Sequence, residues 1–91
     1  MSEISRDMII RNKLGLHARA ATKLVRLANQ FDAKVTLTQG TQEVDASSVM
    51  CLMLLASQQG KSIRVTARGN DAAAALDAIE NLIQNRFDEA E

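Results

Sequence analysis

A single cysteine, Cys51, excludes an intramolecular disulfide, and one cysteine beside one histidine leaves no side-chain set for a structural zinc site. The chain has no tryptophan or tyrosine, and its two phenylalanines, Phe31 and Phe87, lie outside the strand-like stretches. A base-stacking RNA module carries aromatic side chains on its sheet, so that class falls away. Eleven basic and eleven acidic residues balance to a formal charge of zero. Bulk attraction to nucleic acid or to a membrane surface is therefore not expected, and only a local patch could steer a partner. The longest apolar stretch, residues 49–56, is too short to cross a bilayer. No apolar leader with a small-residue cleavage signal follows Met1, so a reducing, cytoplasmic setting is expected. The four glycines are scattered and form no phosphate loop. No carboxylate pair has the context for acid–base work.

What is present is a globular composition, 46% hydrophobic, which argues against disorder. Its 91 residues suit one small domain, spanning 1–91, with a modest core. Met8-Ile9-Ile10 reads as a first strand with Met8 and Ile10 on one face. A helix is predicted over 18–30, with Ala21, Leu24, Val25, Ala28 and Phe31 at helical spacing. Val35 and Leu37 alternate with polar neighbours, Gln39-Gly40 is a turn signal, and Gln42 to Asp45 returns, which predicts a hairpin. Ser47-Ser48 opens a short helix that ends by Gly60. Ile63, Val65 and Ala67 alternate as a fourth strand, and Gly69-Asn70-Asp71 caps a last helix with a stripe of Ala72, Ala75, Leu76, Ile79, Leu82, Ile83 and Phe87. The order is β-α-β-β-α-β-α. Alternating strands bury one sheet face only, so the helices should cover one side of an antiparallel sheet in a two-layer α+β domain.

The lone histidine, His17, stands where the first helix begins, after Gly15 and two residues before Arg19. Between Asn12 and the helix there is no Ser, Thr, Asp or Asn to satisfy the orphan N–H groups of the first turn. A helix start with free N–H groups and a positive dipole end suits an anion. Arg19, Lys23 and Arg26 share one helix face, and Arg19 can offer a two-pronged fork to a phosphate. Near neutral pH much of a histidine population is uncharged and nucleophilic, as reversible phosphoryl carriage requires. A helix terminus contributes about 0.3–1 kcal/mol to an exposed anion, enough to orient a phosphoryl group without trapping it. His17 is therefore expected to be largely exposed. The plainer alternative is a histidine that only caps the helix beside a solvated basic face.

The stretch Ser47-Ser48-Val49-Met50-Cys51-Leu52-Met53-Leu54-Leu55 is apolar on nearly every side. A short helix on a sheet buries one stripe, so part of this surface should remain for docking. Burial on two faces is the alternative. Cys51 reads as an apolar filler and Ser47 or Ser48 as the cap. The acidic end, residues 88–91, reads as frayed and solvated.

At these residues the chain resembles the HPr family of phosphocarrier proteins of the bacterial phosphotransferase system. The resemblance covers the whole domain: Gly15-Leu16-His17-Ala18-Arg19, the element order, and Ser48-Val49-Met50 opening the second helix. The run from Asn12 to Arg19 and the acidic end after Phe87 are most similar to the nitrogen branch of that family. The resemblance implies an open-faced β-sandwich, four antiparallel strands with three helices on one side. It implies that His17 is phosphorylated on Nδ1 by enzyme I, which draws on phosphoenolpyruvate, and passes the group to an enzyme IIA. Arg19 would stabilise that group. Lys23, Arg26, Val49, Met50 and Met53 would dock the partners, and Ser48 is a possible regulatory phosphosite. The chain would be a carrier intermediate rather than an enzyme, a monomer with no cofactor or metal of its own and no nucleic-acid or membrane partner.

Two positions depart from the family pattern. Ala20 stands where proline usually follows the arginine, and Ser47 where serine-regulated members often carry lysine. Proline is tolerated in a first helical turn because its missing N–H would be an orphan, so Ala20 leaves the helix intact with one more free donor. The alternatives are a sugar-branch carrier, a regulatory module in which His17 is only a cap, and an interaction module read by the state of Ser48.

Overall fold

The structure, a computed structural model, describes residues 2–55 and 57–90. Met1, Ala56 and Glu91 lie outside the described residues, so the ends of the apolar stretch and of the acidic tail do too. The elements are β1 (Ser2–Ile9), α1 (Ala18–Ala28), β2 (Lys34–Gln39), β3 (Gln42–Asp45), α2 (Val49–Leu54), β4 (Ser62–Gly69) and α3 (Ala72–Gln84), followed by a 3₁₀ turn at Arg86–Asp88. The strands form one antiparallel sheet in the order β1-β4-β2-β3. The element order, the hairpin and the helices on one face agree with the sequence reading.

Alternation sets which face is covered. Met8 pairs with Ile63, Ile4 and Val35 both oppose Ala67, and Leu37 opposes Val65. These side chains join one core, in which α3 packs on β1 and β4 while α1 packs against α2 and α3. Each fully buried leucine or isoleucine contributes roughly 1.5–3 kcal/mol relative to exposure. Leu24 of α1, Leu37, Ile63 and the α3 residues Leu76, Ile79 and Ile83 are all buried. The other sheet face is polar, where the Ser5 and Thr66 hydroxyls lie 2.8 Å apart and Arg64 Nε donates to Asp7 at 3.1 Å.

β1 is longer than its three apolar residues foretold. It starts at Ser2 because β4 offers eight residues to pair with. Arg6 interrupts the apolar alternation yet points to the helix side, where its guanidinium donates to Asp77 and Glu80 of α3 at 2.9 Å each. An inward charge paired twice is compatible with a strand, but it hides the strand from a hydrophobic pattern. α1 ends at Ala28, two residues early, with Asn29 as its C-cap. Asp71 precedes α3 as expected, but its carboxylate accepts the Asp32 N–H at 2.7 Å instead of capping the helix.

Candidate functional site

The segment between β1 and α1 is held by its own backbone. Ile10 N–H donates to the Lys61 carbonyl at 3.0 Å and Gly60 N–H to the Ile10 carbonyl at 2.8 Å. Asn12 is fully buried, and its Nδ2 donates to the Gly15 carbonyl at 2.7 Å while Gly15 N–H returns to the Asn12 carbonyl at 3.2 Å. Gly15 has φ +68°, and a Cβ there would lie 2.4 Å from the Ser57 carbonyl oxygen, so both the turn and the close approach require glycine. Leu16 is buried and donates its N–H to that same oxygen at 2.9 Å. These bonds aim the next residue, His17, along the start of α1.

His17 is the N-cap of α1, with extended backbone at φ −78° and ψ 178°. Its carbonyl accepts the Ala21 N–H at 2.8 Å, and its Nδ1 accepts the Arg19 N–H at 3.3 Å. The imidazole thus satisfies one of the orphan donors that Ser or Asp would ordinarily take. The ring's other nitrogen, Nε2, lies 2.5 Å from Oε2 of Glu89. Glu89 Oε1 accepts from Asn12 Nδ2 at 3.2 Å. Burial opposes the charge of Glu89, but the hydrogen bonds from His17 and Asn12, with the electrostatic pull of His17 and Arg19, outweigh it. Its carboxyl is held below the ordinary value of 4.5.

This contact overturns two expectations. The His17 side chain is 26% exposed rather than largely open, because Glu89 covers one edge. The acidic tail is not frayed at Glu89, whose side chain is 14% exposed. Asn12, Lys13 and Glu89 are the site residues that sequence reasoning missed, and Phe87, expected on the stripe of the last helix, lies beyond α3 in the 3₁₀ turn. The spacing of Asn12 to Gly15 was a signal for a side chain-closed turn, whereas nothing local marks Glu89.

The tail is aimed by an unusual backbone. Arg86, Phe87 and Asp88 are consecutive non-glycine residues at φ +57°, +52° and +64°. Each costs about 1–2 kcal/mol in that region. Full burial of the Phe87 ring, which contributes roughly 1.5–3 kcal/mol, offsets part of this. The Lys23 ammonium donates to the Phe87 carbonyl at 2.8 Å and lies 3.6 Å from Asp88, which adds a charge-assisted bond.

A surface cavity of about 510 Å³ opens beside this point, between basic Lys13, Arg19 and Lys23 and acidic Asp88 and Glu89, with Leu14 at its wall. The structure therefore brings Arg19 and Lys23 of the basic stripe to His17's neighbourhood. Arg26, exposed further along α1, does not line this cavity. Lys13 joins the basic set unforeseen. Among the described residues no His/Cys/Asp/Glu group could hold a metal ion.

In α2 only Leu52 is buried, so one stripe packs and the rest is left over. Met50 is 77% exposed, Met53 44% and Leu54 69%, while Val49 and Cys51 are half-buried. Ser48, not Ser47, is the N-cap, its Oγ accepting the Cys51 N–H at 3.2 Å. Gln42 Nε2 donates to the Leu54 carbonyl at 3.2 Å and steadies the other end.

An open-faced antiparallel sheet with helices on one side, carrying an imidazole as the cap of its first helix, is the architecture of a histidine phosphocarrier. The family model described as the phosphorylation site of the HPr component of the phosphotransferase system matches residues 4–85, and the chain belongs to the HPr family. It is 51% identical over 90 residues to phosphocarrier protein NPr of Shewanella violacea, covering 99% of both chains. It is 45% identical over 86 residues to phosphocarrier protein HPr of Xylella fastidiosa, covering 94% of this chain and 97% of that one. Its fold superposes on the crystal structure of HPr-C-His from Thermoanaerobacter tengcongensis with a TM-score of 0.89 at 34% identity, over 100% of each chain. Among the described residues no helix is long and apolar enough to cross a membrane.

Proposed function

We propose that residues 1–91 form a single carrier domain whose His17 accepts a phosphoryl group at Nδ1 from phosphorylated enzyme I. The domain then hands the group to a histidine of an enzyme IIA. The observation that supports this reading is the placement of the His17 ring: Nδ1 meets the Arg19 N–H in the first turn of α1, while Nε2 is engaged by Glu89. In the transfer, the Nδ1 lone pair attacks phosphorus and the Nδ1–P bond forms as the donor's N–P bond breaks. The donor nitrogen recovers the bonding pair, and the proton on Nε2 stays where it is. The Arg19 N–H, released from Nδ1, then donates to a phosphoryl oxygen, and the Arg19 guanidinium supplies the balancing charge. Hydrogen bonds to a charged group contribute about 1.5–3 kcal/mol each, which holds the group in place yet lets it leave.

The partner side of the reading rests on α2. Val49, Met50 and Met53 supply apolar contact area, and Lys23 and Arg26 suit partners that are acidic around their own sites. The domain acts as a carrier rather than a turnover catalyst and docks its two partners in turn as a monomer. The nitrogen branch is favoured by the NPr relative and by the apolar Cys51 and Leu54 in α2. Ser48 is the candidate regulatory site: a phosphate there would set charge beside Val49 and Met50.

The test is intact-mass analysis after incubation with phosphoenolpyruvate and either nitrogen-branch or sugar-branch enzyme I, run beside His17→Ala. One acid-labile phosphate on the wild type alone is expected, and the faster enzyme names the branch. Phosphate on His17→Ala, or none on the wild type, would overturn the assignment.

A further inference from the structure

We propose that Glu89 is a positioning residue for phosphoryl transfer, its carboxylate locking the His17 imidazole in one tautomer and one orientation so that Nδ1 remains the nucleophile. The inference rests on the carrier reading above and deepens it. An ionised carboxylate only accepts hydrogen bonds, so Nε2, 2.5 Å from Glu89 Oε2, must carry the ring proton. On the other side Nδ1 accepts a backbone N–H and therefore carries the lone pair. The two bonds fix the same tautomer from opposite edges of the ring, as a histidine's orienting partner does elsewhere.

The carboxylate is itself fixed. Its second oxygen accepts from Asn12 Nδ2, which also donates to the Gly15 carbonyl. Both groups facing that amide are acceptors, so its orientation is set with nitrogen toward them. Asn12 is fully buried and cannot swing away. From the tail, the left-handed residues Arg86, Phe87 and Asp88 turn the chain back toward α1, anchored by the buried Phe87 ring and by Lys23. A strained segment persists where its surroundings over-determine it, and here its consequence is the delivery of Glu89 to the ring. When the Nδ1–P bond forms, the ring gains positive charge that is shared with Nε2–H, directly against the carboxylate. The same contact eases the reverse step, because it holds the ring in the orientation from which the phosphoryl group departs.

The experiment uses the full chain as wild type, Glu89→Gln and Glu89→Asp. Nitrogen-15 spectra of His17 read the tautomer, and the rate of phosphate transfer from phosphorylated enzyme I reads the chemistry. Thermal unfolding checks that each variant is folded. The wild type is expected to show an unprotonated Nδ1 and a protonated Nε2. Glu89→Gln, whose amide can also donate, should mix the tautomers and slow transfer about 10- to 100-fold, the range for removing the orienting partner of a metal-bound histidine. Glu89→Asp should recover part of both signals. An unchanged tautomer or an unchanged rate in Glu89→Gln, with the wild type phosphorylated, would overturn the positioning role alone. A wild type that takes no phosphate from either enzyme I would overturn the carrier reading and the role built on it.

Discussion

Replacing Gly15 by alanine should damage the site loop far more than the same change at Gly40, although both glycines have left-handed backbone. The angles are nearly equal, φ +68° at Gly15 and +62° at Gly40, so the conformational cost of a Cβ is the same at both, about 1–2 kcal/mol. Part of that is returned at both by the stiffer unfolded chain, ~0.4–1 kcal/mol. The surroundings differ. Nothing lies within 4 Å of a Cβ at Gly40, which sits in the β2–β3 turn, whereas at Gly15 the Ser57 carbonyl oxygen would be 2.4 Å away and Gln58 Cα 3.0 Å. Both neighbours are backbone, so relief requires the 57–58 strand of loop to move. Overpacking of that kind costs about 1–3 kcal/mol. The movement also lengthens the Leu16 N–H to Ser57 bond, contributing roughly 0.5–1.5 kcal/mol in its intact form. Gly40→Ala should therefore lose about 1 kcal/mol and Gly15→Ala about 3 kcal/mol or more. For a domain of this size 1 kcal/mol is about 4–8 °C in Tm, so the two variants should differ by roughly 10 °C or more. Urea unfolding followed by circular dichroism at 25 °C measures both. If the two variants came within ~0.5 kcal/mol of each other, the close approach at Ser57 would contribute nothing and the account of this loop would be wrong.

Two further outcomes follow from the same geometry. Glu89 has a folded pKa below 4.5, so its contribution to stability is present above the unfolded value and lost as pH falls through the depressed folded value. The groups facing it are His17, Asn12 and Arg19, and urea unfolding of wild type against Glu89→Gln should show an advantage at pH 7 that vanishes at acid pH; a difference independent of pH would refute the charged pairing. Met53→Glu should leave stability within about 0.5 kcal/mol because the side chain is 44% exposed. Its Kd for enzyme I by calorimetry should rise about tenfold, ~1.4 kcal/mol, and an unchanged Kd would remove α2 from the docking surface.

Most of the architecture was legible because its signals are local. Val35 and Leu37, or Ile63, Val65 and Ala67, alternate within a few residues, and the stripes of α1 and α3 repeat at helical spacing. The extent of β1 was not legible, since Arg6 occupies an inward position that becomes acceptable only when Asp77 and Glu80 arrive from α3. The cap role of His17 was legible from Gly15 and the absence of any oxygen-bearing cap beyond Asn12. The surplus apolar surface of α2 was legible too, because a six-residue helix cannot bury Val49, Met50, Leu52, Met53 and Leu54 on one stripe. What stayed hidden is the other half of the imidazole's environment. Glu89 is 72 residues from His17, and it reaches the ring through three left-handed residues with no glycine among them to announce the turn.

That hidden half bears on how a carrier can both take and give. A ring open on both edges would be free to rotate and to exchange tautomers, and a ring enclosed on both would admit no donor. Here the edges are divided: Glu89, held by Asn12, closes the Nε2 edge, while among the described residues Nδ1 makes one weak hydrogen bond, from the Arg19 N–H at 3.3 Å, which on the proposed reading an incoming phosphoryl oxygen takes over. Exchange of one hydrogen bond for another keeps the number of satisfied donors constant at the helix start, so the phosphorylated and free states differ little in the local cost of capping. On that reading the helix cap itself then holds no large stored preference for either state. On the proposed reading, direction is set by the donors and acceptors that dock at α2, not by the domain that shuttles between them.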